Sequence, residues 1–165
     1  MDSQLIPSKY VKIVSGDLLD ATEDYIVHQC NCVSTDAKTL AKLIFDKYPY
    51  SNSYKNRTVS TRSVPGTIEL FGNGNNKRFI INAYAQYYPA PSMYQNDTKE
   101  LRMGWFWDCL DTIAQIENIR NKTIAMPYNI GFGAGGGDWV QYYNSIRSFA
   151  IRKKIYISRY IKSTK

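Results

Sequence analysis

The segment that most constrains the fold is a glycine-rich stretch at 131–139, which holds five of the ten glycines of this 165-residue chain. Residues 122–127 in front of it have the pattern of a buried strand, and apolar residues recur at helical spacing over 139–150 behind it. Asp138 occupies the position of a helix N-cap. Because glycines let backbone N–H groups approach a ligand closely and a helix start adds free donors, this strand–loop–helix corner predicts an anion site. A glycine-rich surface turn without a ligand is the alternative.

Two well-known nucleotide motifs fit this stretch only in part. The glycine spacing over 131–136 matches the dinucleotide fingerprint, which needs an acidic residue about 20 positions further on. Residues 153–157 stand there, and they contain no carboxylate. A P-loop would need Gly-Lys-Ser/Thr at its end, whereas Gly137 is followed by Asp138. The sequence therefore disfavours both a Rossmann-type dinucleotide site and NTP hydrolysis of the P-loop type.

The composition is that of one globular domain spanning 1–165, with 44% hydrophobic and 21% charged residues. No apolar run is long enough to span a membrane, and residues 1–4 do not begin a signal peptide. The three cysteines, Cys30, Cys32 and Cys109, form no Cys-x-x-Cys pair, which favours reduced thiols in an intracellular protein. We therefore expect a cytoplasmic or nuclear protein that does not contact a membrane.

A metal site has few ligands to draw on in this chain. His28 is the only histidine, and it belongs to the spacing His28-x-Cys30-x-Cys32. Alternation along a strand would place these three side chains on one face, as a metal site requires. A fourth ligand is not evident in the sequence, so we expect neither a metal nor a cofactor.

The net charge of +7 favours polyanionic ligands, either nucleotides or nucleic acid. The fourteen tyrosines could stack on bases or pack half-buried on a sheet. A basic surface that only keeps the protein soluble is the alternative explanation of the charge.

Strands and helices alternate along the chain around one hairpin. The predicted strands cover 10–15, 25–30, 67–71, 78–84, 122–127 and 155–157, and the predicted helices cover 36–48, 97–117 and 139–150. This alternation indicates an α/β domain whose mixed sheet is covered by helices on both faces. The turns at 31–36 and 128–138 each join a strand to a helix, and both could lie at the carboxyl edge of the sheet, where such folds bind ligands. Two such corners side by side suit a diphosphate.

The helix starts, the loops and the chain end carry further expectations. Ser34, Thr35 or Asp36 should cap the helix at 36–48. Residues 49–64 lack periodicity and predict a long surface loop, whereas the basic residues 159–165 predict a frayed tail. The helix at 97–117 should bury one apolar stripe, formed by Leu101, Trp105, Cys109, Ile113 and Ile116.

Four groups of residues carry a resemblance to a known family. They are Gly16-Asp17-Leu18-Leu19, His28-Gln29-Cys30-Asn31-Cys32, Pro65-Gly66-Thr67-Ile68, and Met126-Pro127 with Ile130-Gly131-x-Gly133 and Gly136-Gly137-Asp138-Trp139. In this order and spacing, over nearly the whole chain, they resemble a macro domain. The similarity is greatest to the small single-domain branch that contains ADP-ribose 1''-phosphate phosphatases and terminal ADP-ribose glycohydrolases. The resemblance implies a three-layer α/β/α fold around a mixed six-stranded sheet.

The same resemblance implies an ADP-ribose pocket. Asp17 would accept a hydrogen bond from the adenine amino group, with residues 156–159 beside the adenine. Asn31 and the loop after it would face the distal ribose, and Phe132 would cover the pocket mouth. The implied ligand-binding residues are Asp17, Leu18, Asn31, Cys32, Val33, Ser34, Thr35, Tyr128, Asn129, Ile130, Gly131, Phe132, Gly133, Ala134 and Gly135.

The chain departs from the family pattern at three places. The family carries a glycine-rich turn where this chain has Ser34-Thr35-Asp36-Ala37-Lys38, which should reshape the distal ribose pocket. The glycohydrolases of this branch use a lysine and an aspartate, and the matching positions are Ala83 and Gly135. The resemblance therefore does not extend to the lysine–aspartate mechanism.

Three functions are compatible with these residues. The first is metal-free hydrolysis of ADP-ribose 1''-phosphate to ADP-ribose and phosphate, with His28 and Asn31 as candidate catalytic residues, because His28 is the only side chain that titrates near neutral pH unaided. A hydrogen-bonded core histidine is the alternative for His28. The second function is a non-catalytic reader of ADP-ribose or ADP-ribosylated proteins, and an ADP-ribosyl glycohydrolase is a further enzymatic alternative. The third is nucleic-acid binding through the basic surface.

Overall fold

A computed structural model of the chain describes residues 8–132 and 136–162. Its centre is one six-stranded sheet with the order β1-β6-β5-β2-β4-β3, in which every neighbouring pair is parallel except β3 and β4. The strands are β1 (Val11–Ser15), β2 (Tyr25–Asn31), β3 (Ile68–Phe71), β4 (Phe79–Gln86), β5 (Thr123–Pro127) and β6 (Tyr156–Ile161). The predicted mixed sheet and its hairpin are confirmed.

Helices cover both faces of the sheet. Helix α1 (Thr39–Lys47) packs on one face, and helices α2 (Lys99–Ile113) and α3 (Trp139–Lys153) pack on the other. The alternation of side chains along β2 separates the two cores, because Val27 packs with α2 and α3 whereas Ile26 packs with α1. The fold is therefore the three-layer α/β/α arrangement that the sequence predicts. Within the described residues no helix is both long and apolar enough to cross a membrane.

Two helix starts follow directly from local sequence. The Asp138 carboxylate accepts a hydrogen bond of 2.9 Å from the Val140 N–H at the start of α3, which confirms the predicted N-cap. Thr98 caps α2 in the same way, accepting from the Leu101 N–H at 3.1 Å. Helix α3 ends at Lys153, and Lys154 follows it in the left-handed conformation, which closes the turn into β6.

The predicted cap of α1 is wrong. The helix begins at Thr39, and Lys38 stands at the N-cap position without a side-chain hydrogen bond. Residues 32–36 form a turn instead, because the Asn31 side chain accepts from the Ser34 N–H at 2.8 Å. The non-glycine residues at 34–38 are thus part of a wide turn rather than of the helix.

The predicted stripe of α2 is also partly wrong. Leu101 is 39% exposed, and the core takes Arg102, Phe106 and Leu110 in addition to the predicted Cys109 and Ile113. The helix is rotated relative to the prediction because Arg102 is buried with a carboxylate partner, Asp97, which hydropathy alone does not reveal. The buried residues of this helix are Arg102, Phe106, Cys109, Leu110 and Ile113.

Two segments predicted to be peripheral contribute residues to the core of the fold. Residues 49–64 contain the short 3-10 helices Pro49–Ser51 and Val59–Thr61 and bury Tyr54 and Arg57, whereas residues 58–62 are exposed, so the predicted surface loop is only partly right. Strand β6 extends to Ile161, so the predicted frayed tail is wrong for residues 159–161, and residues 163–165 lie outside the described part. Strand β6 is held on both sides, by β1 and by β5, which explains how it tolerates its polar side chains.

Candidate functional site

The two predicted strand–loop–helix corners lie at the same edge of the sheet. Strands β1, β6, β5, β2 and β4 run in one direction, so their carboxyl ends meet there. Backbone hydrogen bonds of 2.9 Å link the loops to their neighbours, from the Gly16 N–H to Ile161 O, from the Tyr128 N–H to Tyr160 O, and from the Cys32 N–H to Tyr87 O. The polar residues that follow β1, β5 and β2 are therefore gathered along one continuous edge.

In the glycine corner between β5 and α3, Gly131 and Gly137 are hydrogen-bonded to each other, and we call this contact the neck of the corner. The Gly137 N–H donates to Gly131 O at 3.0 Å. Gly131 has φ +82°, and a Cβ there would lie 2.1 Å from the Tyr142 ring of α3, while a Cβ at Gly137 would lie 2.4 Å from the same ring. Both glycines are required because the loop is pressed onto a buried tyrosine. The predicted ligand-binding residues Gly133, Ala134 and Gly135 lie outside the described residues.

The first half of this corner is a tight turn after Pro127. The Ile130 N–H donates to Pro127 O at 3.1 Å, and the Phe132 N–H donates to Asn129 O at 3.0 Å. Ile130 is buried in the core, and the ring of Phe132 contacts the ring of Tyr128 edge-on at 5.9 Å. Two of the backbone donors predicted to hold a phosphate are thus used to build the turn itself.

The second corner, at 31–35, is organised by the Asn31 side chain. Its Oδ1 accepts from the N–H groups of Val33 at 3.1 Å and of Ser34 at 2.8 Å. Arg57 donates to the carbonyl oxygens of Asn31 at 3.3 Å and of Ser34 at 2.9 Å. Since the Asn31 oxygen is already occupied, its amide nitrogen is the group that can donate to a ligand, and Asn31 has no free acceptor with which to act as a base.

Cys32 and Thr35 complete the described part of this corner. The Cys32 thiol is fully buried and donates to Gln86 O at 3.4 Å, and burial raises the pKa of this thiol to about 12. Thr35 is exposed. A thiol protonated at neutral pH cannot act as a nucleophile, so Cys32 shapes the corner rather than reacting.

Asp17 lies at the same edge, directly after β1. Its Oδ1 accepts from the Leu19 N–H at 2.9 Å and caps the 3-10 helix Leu18–Asp20. Leu18 is buried. A carboxylate has two oxygens and about four acceptor positions, so the cap leaves Asp17 with capacity for a ligand.

Tyr156 does not lie beside Asp17, contrary to the prediction for residues 156–159. It is the first residue of β6, at the opposite edge of the sheet, where its ring contacts the Tyr10 ring at 5.1 Å. The residue that pairs across from Ser15 is Ile161, because β1 and β6 are parallel and in register there. The carboxyl end of β6 is therefore the part that adjoins Asp17.

His28 lies in the core and not at the edge. It is 1% exposed, its Nε2 is 2.7 Å from Asn82 Oδ1, and the Phe45 ring contacts it edge-on. Burial lowers the pKa of His28 to about 4. This imidazole is paired with Asn82 in the core and stays neutral at neutral pH, so we drop His28 from the candidate catalytic residues and assign it a structural role.

The thiol nearest to His28 is Cys30, whose Sγ lies 3.6 Å from the His28 Nε2. Burial raises the pKa of the Cys30 thiol, which leaves it protonated. Within residues 8–132 and 136–162, no three His, Cys, Asp or Glu side chains are grouped so as to hold a metal ion.

Comparison with known proteins adds the fold relationship. The sequence matches no protein-family model and no curated protein. The macrodomain of Mycobacterium tuberculosis DarG superposes with a TM-score of 0.70 at 22% identity, over 94% of this chain and 100% of that one. Thermosipho africanus DarTG, solved in complex with ADP-ribose, superposes with a TM-score of 0.68 at 15% identity, over 95% of this chain and 42% of that one. A Trypanosoma brucei macrodomain in complex with ADP-ribose superposes with a TM-score of 0.61 at 12% identity, over 93% of this chain and 63% of that one.

The chain has the macrodomain fold.

In this fold Ala83, the position matched to the lysine of the glycohydrolases, does not stand at the end of its strand. Ala83 is 1% exposed in the middle of the strand, which continues to Gln86 at the carboxyl edge. Gln86 Oε1 accepts from Gln29 Nε2 at 2.8 Å, and Gln86 Nε2 donates to Tyr88 O at 2.8 Å. The side chain at the end of β4 is thus a neutral amide that is already hydrogen-bonded.

The sequence did not reveal Arg57, and it did not reveal that Arg159, predicted to lie beside the adenine, is buried. Arg57 underlies the 31–35 corner, and Arg159 contacts Tyr128 at the start of the glycine corner. Arg159 could have been noticed as a lone basic residue in the alternating run of β6. Arg57 stands in an aperiodic segment that carries no such signal.

A cleft of about 340 Å³ lies at the opposite, amino edge of the sheet and is lined by Asp24, Arg78 and Lys122, among other residues. Asp24 is used there to hold strand ends together, since its Oδ2 accepts from the Thr123 N–H at 2.9 Å. Arg78 donates to the Glu23 carbonyl oxygen in the same region. The carboxyl edge, with its glycine corner, is therefore the better candidate for the functional site.

Proposed function

We propose that this protein binds ADP-ribose along the carboxyl edge of its sheet. The observation that carries the proposal is the closed glycine corner. Gly131 and Gly137 are hydrogen-bonded to each other there, and Asp138, the next residue, caps the start of α3. A helix N-terminus behind a close-packed glycine loop favours a phosphate group. Two proteins of the same fold, from Thermosipho africanus and Trypanosoma brucei, were solved in complex with ADP-ribose, which supports this choice of ligand.

The order of the loops suggests how the ligand would lie. Asp17 and the Leu18 N–H would receive the adenine, and the glycine corner would hold the diphosphate. The 31–35 corner would face the distal ribose, where the Asn31 amide can donate to a hydroxyl. Phe132 would cover the mouth of the pocket.

We favour binding without turnover, as in a reader of free or protein-attached ADP-ribose. The described side chains with the best claim to catalysis at the two corners are held in structural roles, and the Asp138 carboxylate caps α3. The Asn31 oxygen is occupied, the Cys32 thiol stays protonated, and His28 is enclosed in the core. The neutral Gln86 at the end of β4 makes ADP-ribosyl glycohydrolase activity by a lysine-dependent route a poor fit.

Hydrolysis of ADP-ribose 1''-phosphate is the second proposal, and Arg57 is the observation that favours it. Arg57 is 7% exposed and lies directly behind the 31–35 corner, bonded to Ser34 O at 2.9 Å. A fixed positive charge there would favour a terminal phosphate on the distal ribose. Water would attack that phosphate, and ADP-ribose and inorganic phosphate would leave without a metal.

The test combines calorimetry with a turnover assay on the purified protein. We expect ADP-ribose to bind with a stoichiometry of one and a single-stranded oligonucleotide to bind weakly or not at all. Tight binding of the oligonucleotide with no binding of ADP-ribose would contradict the proposal and favour nucleic-acid binding through the basic surface. Release of phosphate from ADP-ribose 1''-phosphate would establish the phosphatase activity. Binding of ADP-ribose without such release would favour a non-catalytic reader.

A further inference from the structure

Arg159 is a buried cation at the glycine corner. It is 2% exposed and lies on β6 on the face that carries α2 and α3. Its Nη2 donates to Tyr128 O at 2.9 Å, and its guanidinium lies 4.3 Å from the centre of the Tyr128 ring and 5.1 Å from that of Tyr143. Its Nε is buried without a hydrogen-bond partner. Part of its hydrogen-bonding capacity is therefore unused.

The other fully buried arginine shows what Arg159 lacks. Arg102 is 1% exposed and makes two hydrogen bonds of 2.7 Å to the Asp97 carboxylate. Arg159 forms no ion pair with any carboxylate of the described residues. Aromatic faces compensate a buried charge only in part, and charged residues are rarely fully buried without a partner. Among the described residues the charge of Arg159 is thus only partly compensated, by the Tyr128 carbonyl oxygen and two tyrosine rings.

The place of this charge explains what could compensate it. Tyr128 is the first residue after β5 and begins the glycine corner, while Tyr143 lies in the second turn of α3, which the corner leads into. The guanidinium is therefore held between the two elements whose junction forms the predicted anion site. Burial lowers the pKa of Arg159, but a guanidinium stays protonated throughout the physiological range.

We propose that Arg159 is the counter-charge for the phosphate groups of a ligand bound between Tyr128 and the Asp138-capped start of α3. The ligand class is a phosphate or diphosphate ester, and its choice as ADP-ribose rests on the proposed function. Neutralising a buried guanidinium removes an unfavourable charge from the protein at the moment of binding. Arg159 would thereby make the corner select anionic ligands over neutral nucleosides.

The experiment compares three variants by calorimetry with ADP-ribose, inorganic pyrophosphate and adenosine. Arg159→Met keeps the apolar stem and removes the charge, Arg159→Lys keeps the charge without the guanidinium fork, and Arg152→Met removes an exposed charge from α3 as a matched control for net charge. We expect Arg159→Met to weaken ADP-ribose and pyrophosphate about 10- to 100-fold, the range of a lost charge-assisted hydrogen bond, and to leave adenosine unchanged. Arg159→Lys should retain part of the affinity, and Arg152→Met should stay near wild type.

Thermal unfolding without ligand separates this role from a structural one. Replacing a merely structural arginine would lower the melting temperature, whereas removing a buried charge that is only partly compensated should leave the melting temperature unchanged or raise it. A lowered melting temperature with unchanged affinity for ADP-ribose would overturn the inference.

The outcomes also separate this inference from the proposed function. If wild type binds ADP-ribose and Arg159→Met binds it equally well, the inference falls and the proposed function stands. If wild type binds pyrophosphate through Arg159 but not ADP-ribose, the inference stands and the proposed function falls. Failure of wild type to bind either ligand would overturn both. If Arg159→Met does not fold, the buried Nε–H resonance of Arg159 in the wild-type protein decides, since it must shift on adding pyrophosphate and an unmoved resonance would overturn the inference.

Discussion

At the scale of single residues, hydrogen-bond partners decide which polar groups can meet a ligand. Asn31 and Asp17 both stand at the carboxyl edge, yet each already uses one oxygen to hold its own loop. His28 has the chemistry of a proton carrier but is sealed between Asn82 and Phe45. The residue types alone indicate reactivity, whereas their surroundings turn most of them into structural groups.

His28 should make folding stability depend on pH. The unfolded histidine binds a proton below about pH 6.5, whereas burial lowers the pKa of the folded one to about 4. Between these values the unfolded state binds more protons, so the free energy of unfolding should fall by roughly 3 kcal/mol as the pH drops from 6.5 to 4. Urea denaturation of wild type and His28→Gln at several pH values measures this, because the difference between their profiles isolates His28. If the stability of wild type and of His28→Gln changed with pH in parallel, His28 would not be buried in its neutral form.

Asp17 should discriminate between ligands with and without adenine. We expect Asp17→Ala to weaken ADP-ribose binding more than ribose 5-phosphate binding, because a hydrogen bond to a charged acceptor contributes about 1.5–3 kcal/mol. Asp17→Asn is the control for the cap, since asparagine also accepts from the Leu19 N–H. Titration of both ligands into each variant is the measurement, and equal weakening of the two ligands by Asp17→Ala would remove Asp17 from the adenine site.

At the scale of elements, the corner between β5 and α3 depends on how closely its backbone packs on Tyr142. Gly131 and Gly137 touch that ring where any side chain would collide with it. The corner is therefore rigid at its neck, and the position of its backbone depends on how α3 packs against it.

Gly131→Ala should both destabilise the protein and abolish ADP-ribose binding. The new methyl group would lie 2.1 Å from the buried Tyr142 ring at a φ of +82°, so overpacking and left-handed strain together should cost at least about 2 kcal/mol. Gly104→Ala is the matched control, because no atom lies within 4 Å of a Cβ there and the residue is exposed in α2. We expect that control to gain up to about 1 kcal/mol in helix propensity. Thermal unfolding and titration test both, and normal binding by Gly131→Ala would contradict the rigid neck.

The cap of α3 gives a second prediction at this scale. Asp138→Asn should change stability and any turnover little, since asparagine is nearly as good an N-cap as aspartate, whereas Asp138→Ala should lose about 1 kcal/mol. If Asp138 served as a catalytic base, Asp138→Asn would instead lose most of the rate while melting normally. Assays of melting and of ADP-ribose 1''-phosphate hydrolysis on the two variants distinguish these roles.

At the scale of the whole molecule, one buried ion pair links the segment after β4 to α2. Arg102 donates to Asp97 and to the carbonyl oxygens of Tyr88 and Ala90. Burial alone would raise the pKa of Asp97, but the hydrogen bonds from Arg102 and from the Tyr88 N–H lower it below its usual range. The pair therefore fixes the chain that runs beside the candidate site.

Asp97→Asn should destabilise the protein by about 3–5 kcal/mol, because it leaves Arg102 buried without a carboxylate. The exposed pair of Lys42 and Asp46 provides the control, and Asp46→Asn should leave the denaturation midpoint unchanged. In wild type the contribution of Asp97 is present above its unfolded pKa of about 3.9 and is lost as the pH falls through its lower folded pKa. Chemical denaturation of wild type and of both variants at several pH values measures these effects. Equal midpoints for Asp97→Asn and Asp46→Asn would show that the Asp97–Arg102 pair does not stabilise the fold.

Much of the architecture could be predicted because its signals are local. The strand–loop–helix corner, the hairpin around 72–76 and the Asp138 cap each depend on residues a few positions apart. Periodicity also places the strands of the central sheet, and their parallel order then brings the two corners to one edge.

Local patterns did not show which polar side chains are buried or which groups bond them. Tertiary contacts determine both. Arg57 meets Asn31 across 26 positions, Arg159 meets Tyr128 across 31, and His28 meets Asn82 across 54. A charged or polar residue enters a core only where distant groups supply its hydrogen bonds, and the sequence around it does not show those groups. For this reason the edge that carries the site could be read from local sequence, whereas the buried arginine beneath its glycine corner became visible only in the folded chain.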